Sequence, residues 1–203
     1  SDRRIRIGLV GCGRIAKNHF GAIAAHRDNL ELVGVADVDP VAAETAAREQ
    51  STVAHPSLSA LLAHSNADAV VVTTPSGLHS KQAIEIARTG RHVITEKPMA
   101  TRWSDGLAMV EACDAAGVRL FVVKQNRHNA TLQLLRKAID AGRFGRIYSV
   151  AINVFWTRPQ SYYDSAKWRG TWEFDGGAFM NQASHYIDLL DWLIGPIESV
   201  QAY

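Results

Sequence analysis

Apolar and polar positions alternate between two periods over the first 123 residues. Ile5-Arg6-Ile7-Gly8-Leu9-Val10 reads as a short apolar strand, and residues 15–27 as a helix. Leu30 to Asp37 reads as a second strand. Pro40 then opens an Ala-rich helix through Glu49, with proline at a first-turn position. A short strand at Thr52-Val53-Ala54 precedes a helix over Ser57–Ala63. Asp68 to Thr74 is a near-continuous β-branched run, the pattern of a strand covered on both faces. A helix over 79–89 ends at Gly90, strand 91–95 follows, then helix 104–116 and strand 118–123. Strands alternating with helices in this way predict βαβ units and a parallel sheet. Ligands of such sheets sit beyond the carboxyl ends of the strands. The residues after Val10, Val35, Val72, Ile94 and Val123 are therefore the ones to inspect.

The texture changes after Val123. Residues 129–141 predict an amphipathic helix, with Leu132, Leu135 and Ile139 at helical spacing. Over 146–157, Tyr148, Val150, Ile152 and Val154 alternate with Ser149, Ala151 and Asn153, which predicts a long strand. A polar, aromatic loop runs from Thr157 to Asp175. A helix over 177–194 stops at Gly195-Pro196, and a last strand begins at Ile197. This places a domain boundary near residue 124, giving a Rossmann domain over 1–123 and the first part of a second α/β domain over 124–203. Two strands and two helices are marginal alone, so the chain is expected to be part of a longer protein.

Composition narrows the function classes. The chain has 203 residues, 47% hydrophobic and 21% charged, with 22 Lys plus Arg against 20 Asp plus Glu. A net charge of +2 offers no concentrated basic surface for nucleic acid. No apolar run approaches the roughly 20 residues of a membrane span, and no signal-peptide pattern is read. Cys12 and Cys113 are too few for a secreted disulfide framework and read as small buried residues. A cytoplasmic protein is expected.

The first strand runs into Gly11-Cys12-Gly13-Arg14-Ile15-Ala16, a G-x-G-x-x-A between strand and helix. In that context Gly11 makes the tight turn and Gly13 admits a pyrophosphate. Ala16 lets the helix pack on the sheet, and Arg14 and Ile15 open a helix whose free N–H groups favour an anion. The second strand ends in Asp37. A carboxylate there accepts both ribose hydroxyls and repels a 2′-phosphate, which predicts NAD over NADP. Thr74, Pro75 and Ser76 follow the next long strand and line the same channel. His79, at the start of a helix, is assigned to this cofactor end.

Strand 91–95 ends in Glu96-Lys97-Pro98, which aims Lys97 into the crevice as a donor to a substrate oxygen; Glu96 can hold Lys97 or a cofactor ribose. A surface lysine is the plain alternative. In the later helix Asn181, His185 and Asp188 stand at i, i+4 and i+7, with Gln182 beside them. His suits general-base work near neutral pH, although a satisfied core histidine fits the spacing alone. With no HExxH and no second His nearby, no metal site is expected. Gln125 follows strand 118–123 and faces the crevice.

Taken together, the glycine loop, Asp37, Glu96-Lys97-Pro98 and the Gly-Gly…His-x-x-Asp helix resemble the glucose-fructose oxidoreductase/inositol dehydrogenase/rhizopine catabolism (Gfo/Idh/MocA) family over the whole chain. The resemblance implies a Rossmann domain, a second α/β domain with an open sheet, and a homo-oligomer, dimer or tetramer, formed through that sheet. It also implies a cis Lys97-Pro98 bond and catalytic roles for Lys97 and His185. Many members carry Asp where this chain has Asn181, so the usual Lys–Asp–His set does not carry over intact. The segments from Val154 to Tyr163, Trp168 to Trp172 and Phe179 to His185 are similar to the Wlb-type UDP-N-acetyl-2-amino-2-deoxyglucuronate 3-dehydrogenases of bacterial surface polysaccharide (lipopolysaccharide) biosynthesis.

That likeness implies NAD-dependent oxidation of a sugar-nucleotide C3 hydroxyl. His185 is the expected base and Lys97 the donor to the oxygen. Arg158 and Arg169 suit the carboxylate and diphosphate, and Tyr162 and Tyr163 the sugar or uracil, beside Asn181 and Gln182. The same aromatic residues could instead fill the join between domains. An inositol or other sugar dehydrogenase, and a non-catalytic NAD-binding regulator, remain the alternatives.

Overall fold

The computed structural model describes residues 3–202. Six strands, β1 (Ile5–Val10), β2 (Leu30–Ala36), β3 (Ala54–His55), β4 (Ala69–Val72), β5 (His92–Thr95) and β6 (Leu120–Val122), form one parallel sheet. Their order is β3-β2-β1-β4-β5-β6. The chain winds outward from β1 in one direction and then from β4 in the other. The crevice between the ends of β1 and β4 is therefore the switch point at which ligands of such sheets bind.

The connecting helices are α1 (Ala16–Ala25), α2 (Pro40–Glu49), α3 (Leu58–His64), α4 (His79–Arg88) and α5 (Trp103–Ala115). The two-residue period of β4 divides its side chains between two cores. Val70 and Val72 pack with Leu61 of α3, Ile86 of α4 and Met109 of α5. Ala69 and Val71 pack on the other face with Ala16 and Phe20 of α1 and Ala46 of α2. A strand clothed on both faces needs an apolar residue at every position, and all four β4 residues are buried. Local chemistry starts the helices. The Asp39 carboxylate accepts from Val41 N at 2.9 Å with Pro40 at the first turn, and Ser57 Oγ accepts from Ala60 N at 3.1 Å.

The later part contains α6 (Ala130–Asp140), α7 (Gln160–Asp164) and α8 (Ser184–Ile194). It differs from the sequence reading in four ways. Residues 146–157 are unpaired rather than a strand, and so is the segment from Ile197. A strand exists through its ladder, and among the described residues none pairs with either segment. The expected loop 157–175 contains the one-turn α7. The expected helix 177–194 is interrupted by a π turn at Phe179–Ala183, so Asn181 and His185 do not follow simple α spacing. Both cysteines are free. Cys113 is buried as expected, whereas Cys12 is only half-buried. No helix among the described residues is long and apolar enough to cross a membrane.

Candidate active site

The glycine loop is tied to β4 from below. Thr73 Oγ1 donates to Val10 O at 2.9 Å and Gly11 O at 2.6 Å. Gly11 has φ +96°, and a Cβ there would lie 2.7 Å from Thr74 N, so only glycine fits this crossing. A Cβ on Gly13 would meet nothing within 4 Å, which leaves its backbone open to a ligand. Asp37 is held at the adjacent strand end. One carboxylate oxygen accepts from Cys12 N at 2.7 Å and the other from Asp39 N at 2.9 Å. Each oxygen retains a lone pair, so the group is oriented without being saturated.

These residues line a cavity of about 700 Å³. Gly11, Gly13, Arg14, Ile15 and Asp37 form one wall, and Thr74, Pro75, Ser76 and His79 form a second. Glu96, Lys97 and Gln125 close the floor, while Tyr162, Arg169 and Asn181 arrive from the later part of the chain. The volume, the open glycine, the oriented carboxylate and the start of α1 together fit a dinucleotide.

His79 is 1% exposed and joins two of these walls. Its Nδ1 lies 2.8 Å from Pro98 O and its Nε2 2.9 Å from Thr74 O. Burial pushes its pKa down, against the pull of those two carbonyls and Glu96. A neutral ring donates to only one of them. His79 thus braces the Thr74 loop against the Lys97-Pro98 turn, whose peptide bond is cis.

Lys97 is one of the points at which the two parts of the chain meet. Its Nζ donates to Asn181 O at 2.7 Å and to Asn181 Oδ1 at 3.1 Å, which leaves one of its three donors free. Burial lowers its pKa, Glu96 and Asp175 raise it, and Lys124 and Arg158 lower it. His185 is 7% exposed, with an Nδ1 that has no protein partner. Burial first, then the charges of Lys97 and Lys124, bring its pKa down to about 4, against Glu96 and Asp188. The imidazole is therefore neutral, and able to accept a proton, across the neutral range.

Sequence reasoning missed two supports of this centre and misplaced a third residue. His19 Nε2 of α1 contacts Glu96 Oε1 at 2.8 Å, while Glu96 Oε2 accepts from Lys97 N at 3.2 Å. Asp175 is 3% exposed and accepts from the Asn181 amide. Asp188 does not extend the Asn181–His185 stripe. It receives Arg127 Nη2 at 2.6 Å and lies 3.8 Å from Lys124, securing the turn at Gln125–His128.

The remaining predicted residues form an aromatic–guanidinium cluster. Arg158 Nη2 donates to Gln182 Oε1 at 2.8 Å, with its guanidinium over Trp156 and Tyr162 at 4.9 and 5.2 Å. Gln182 Nε2 in turn donates to Tyr162 Oη at 3.1 Å. Arg169 lies 4.4 Å over Tyr162 and 4.7 Å over Trp168, with a buried Nε that has no protein partner. Tyr163 packs edge-on against Tyr162. Of the two arginines, Arg169 lines the large cavity and Arg158 does not.

Comparisons with known proteins fit this geometry. Residues 5–124 match the model of an oxidoreductase family with an NAD-binding Rossmann fold, and residues 132–203 match the GFO/IDH/MocA C-terminal domain. The WlbA dehydrogenase of Bordetella pertussis, solved with NADH and UDP-GlcNAcA, is 68% identical with a TM-score of 0.95 over 98% of this chain and 57% of that one. The WlbA dehydrogenase of Chromobacterium violaceum, solved with the same pair, is 66% identical with a TM-score of 0.98 over 100% of this chain and 59% of that one. Inositol 2-dehydrogenase 3 of Saccharopolyspora erythraea is 29% identical over 94% of this chain and 54% of its own. The chain thus spans somewhat over half the length of these relatives. Matched over well more than half of its own residues, the chain belongs to the Gfo/Idh/MocA oxidoreductase family, with its NAD-binding Rossmann fold.

Proposed function

We propose that the protein oxidises the C3 hydroxyl of UDP-N-acetylglucosaminuronic acid to the 3-keto sugar, using NAD. The observation that carries this reading is the position of Lys97: one free donor at the floor of the dinucleotide-sized cavity, near enough for its charge to help keep the buried His185 neutral. The likeness to WlbA dehydrogenases solved with NADH and UDP-GlcNAcA supports the choice of substrate.

Held in this cleft, NAD would supply the acceptor for the hydride of the sugar C3. His185 takes the hydroxyl proton as general base. Lys97 donates to the same oxygen and stabilises its developing negative charge. Asp37 holds the adenosine ribose, and the loop from Gly11 to Ile15 holds the pyrophosphate. Thr74, Pro75, Ser76, His79, Glu96 and Gln125 shape the rest of the cofactor site. Arg158, Arg169, Tyr162, Tyr163, Asn181 and Gln182 hold the nucleotide sugar, with Arg169 reaching towards the diphosphates. With the division near residue 124, every cofactor residue but Gln125 belongs to the first domain and every substrate residue but Lys97 to the second. The reading includes a cytoplasmic location, where NAD and nucleotide sugars are available, and a homo-oligomer.

The test is NADH formation by the full-length protein with UDP-N-acetylglucosaminuronic acid, with inositol and simple hexoses in parallel. A single-turnover record guards against tightly held NADH hiding the reaction. Formation with the nucleotide-sugar acid alone is expected. Turnover only with inositol or hexoses would replace the substrate, and NAD binding without any turnover would favour a regulator.

A further inference from the structure

Asp175 is a buried carboxylate that no sequence motif singles out. It is 3% exposed, and among the described residues no Lys or Arg forms an ion pair with it. A buried charge of this kind needs a compensating one. Its Oδ2 accepts from Gly170 N at 2.7 Å, and its Oδ1 accepts from Asn181 Nδ2. Asn181 Oδ1 accepts from Lys97 Nζ at 3.1 Å. The cation that balances Asp175 therefore stands one amide away.

Chemistry fixes the direction of this chain. An ammonium only donates and a carboxylate only accepts, so the amide between them has one satisfactory orientation. Turned the other way, it would face N–H to N–H and O to O. We propose, resting on the function above, that Asp175 is a positioning residue for catalysis: through the Asn181 amide it holds the Lys97 ammonium with its free N–H towards the substrate oxygen. Asp175 itself touches neither substrate nor cofactor in this role.

Lys97 has other charged or titratable neighbours. They are Glu96 on its own strand end, His79 of α4, Lys124 beyond β6, Arg158 and His185. Glu96 and Asp175 are the negative ones, so removing the charge of Asp175 favours the neutral amine.

Asp175→Asn tests the relay while sparing the loop. Its oxygen still accepts from Gly170 N–H, but its NH2 faces the NH2 of Asn181, which drives that amide to turn its donor towards Lys97. The expected result is a roughly ten- to hundred-fold fall in kcat with little change in KM, and an alkaline limb moved to lower pH. The double variant Asp175→Asn/Asn181→Asp restores the donor–acceptor match, because residue 175 now donates and residue 181 accepts. It should recover most of kcat and return the limb.

A second readout does not need turnover. The pH midpoint for acylation of Lys97, read by mass spectrometry, should fall in Asp175→Asn and return in the double variant. Shifted midpoints without turnover of any tested sugar would keep the relay and sink the assigned function. Wild-type turnover with an unmoved midpoint and unmoved kcat in Asp175→Asn would overturn the relay. So would equal losses of kcat and melting temperature in both variants, since Asp175 would then only brace its loop. Should Asp175→Asn fail to fold, Asn181→Ala keeps the Gly170–Asp175 bond, and a wild-type kcat in that variant would overturn the proposal.

Discussion

The two parts of the chain are held together by different physics. Up to β6, the structure is built on two apolar cores either side of the sheet, with Leu9, Val35, Val70, Val72, Ile86 and Val93 fully buried. From residue 124 to 202 only Asp175, Asn181, His185 and Leu189 are buried. Three of those four are polar, and all three lie at or beside Lys97. The first part therefore secures its fold by removing apolar area from water, which is insensitive to the identity of any one polar group. Where residues 124–202 meet the first part, the contacts present in this chain, which spans somewhat over half of its relatives' length, are directional ones at and around the site. Its order and its chemistry are accordingly coupled, which predicts that damage to either will show in turnover before it shows in stability.

The strongest test separates chemistry from folding outright. Lys97→Met and His185→Asn should each lower turnover by about 10²–10⁴-fold, the range for a lost acid–base group. Both should still bind NADH in a fluorescence titration and melt close to wild type. Full turnover in either variant would remove that residue from the mechanism.

The next pair breaks the comparison from both sides. Leu61 is fully buried beneath the sheet, so Leu61→Ala should cost about 2–5 kcal/mol of stability, measured by denaturant unfolding, while the folded fraction keeps its kcat. Gly77 lies where the two parts touch, its N–H donating to Phe174 O at 3.1 Å. A Cβ there would sit 2.2 Å from Glu173 O and 2.9 Å from Phe174 Cα. Gly77→Ala must push back the loop that carries Asp175. It should lower kcat roughly ten-fold or more, on the scale of a misplaced catalytic group, and expose residues 170–177 to proteolysis, with less loss of stability than Leu61→Ala. The opposite ranking would mean that the second part is held by its own apolar packing.

The same contrast governs what could be read from the sequence. The strands, the helices, the glycine loop and Asp37 were legible because two-residue and helical periods report cores that lie within the chain itself. Lys97 was legible because a parallel strand delivers its last residues to the crevice. The alternation over 146–157 was equally plain, yet it forms no strand, because a pattern cannot supply the neighbour that a ladder requires. His19 and Asp175 were invisible for another reason. His19 reaches Glu96 across 77 residues, and Asp175 lies in a loop without period, so only the folded arrangement reveals them. Asp188 had the right spacing and the wrong partner, because the π turn and Arg127 drew it away.

Smaller effects follow from the titrating groups. His185 has a folded pKa of about 4 against an ordinary 6.5, so it is neutral, and competent as a base, down to well below pH 6.5. Lys97 is lowered from 10.5 and must stay protonated to donate. The profile of kcat/KM should therefore have its acid limb near pH 4 and its alkaline limb below 10.5. The stability sign runs the same way for His185. Its contribution is intact above pH 6.5 and is lost as the pH falls from there through about 4, because the unfolded chain binds that proton more readily. An acid limb at 6.5 would mean that the imidazole is exposed to water and not held in the docked centre.

The smallest effect expected lies within the glycine loop, at a residue whose chemistry looks more reactive than it is. Cys12 sits between Gly11 and Gly13, half-buried, beside the cavity. Burial and the adjacent Asp37 push its thiol up to about 12. A thiol is nucleophilic only as the thiolate, so at neutral pH this one should alkylate far more slowly than a free cysteine. The loop uses the Cys12 backbone, whose N–H holds Asp37, and makes only a weak contact from sulfur to Ala36 O at 3.7 Å. Cys12→Ala preserves that N–H, so its NADH affinity should stay within about two-fold of wild type, the scale of an unimportant surface change. Asp37→Ala removes the acceptor instead and should weaken NADH binding roughly ten-fold or more. Similar losses in the two variants would show that the sulfur, and not the backbone beside it, shapes the cofactor end.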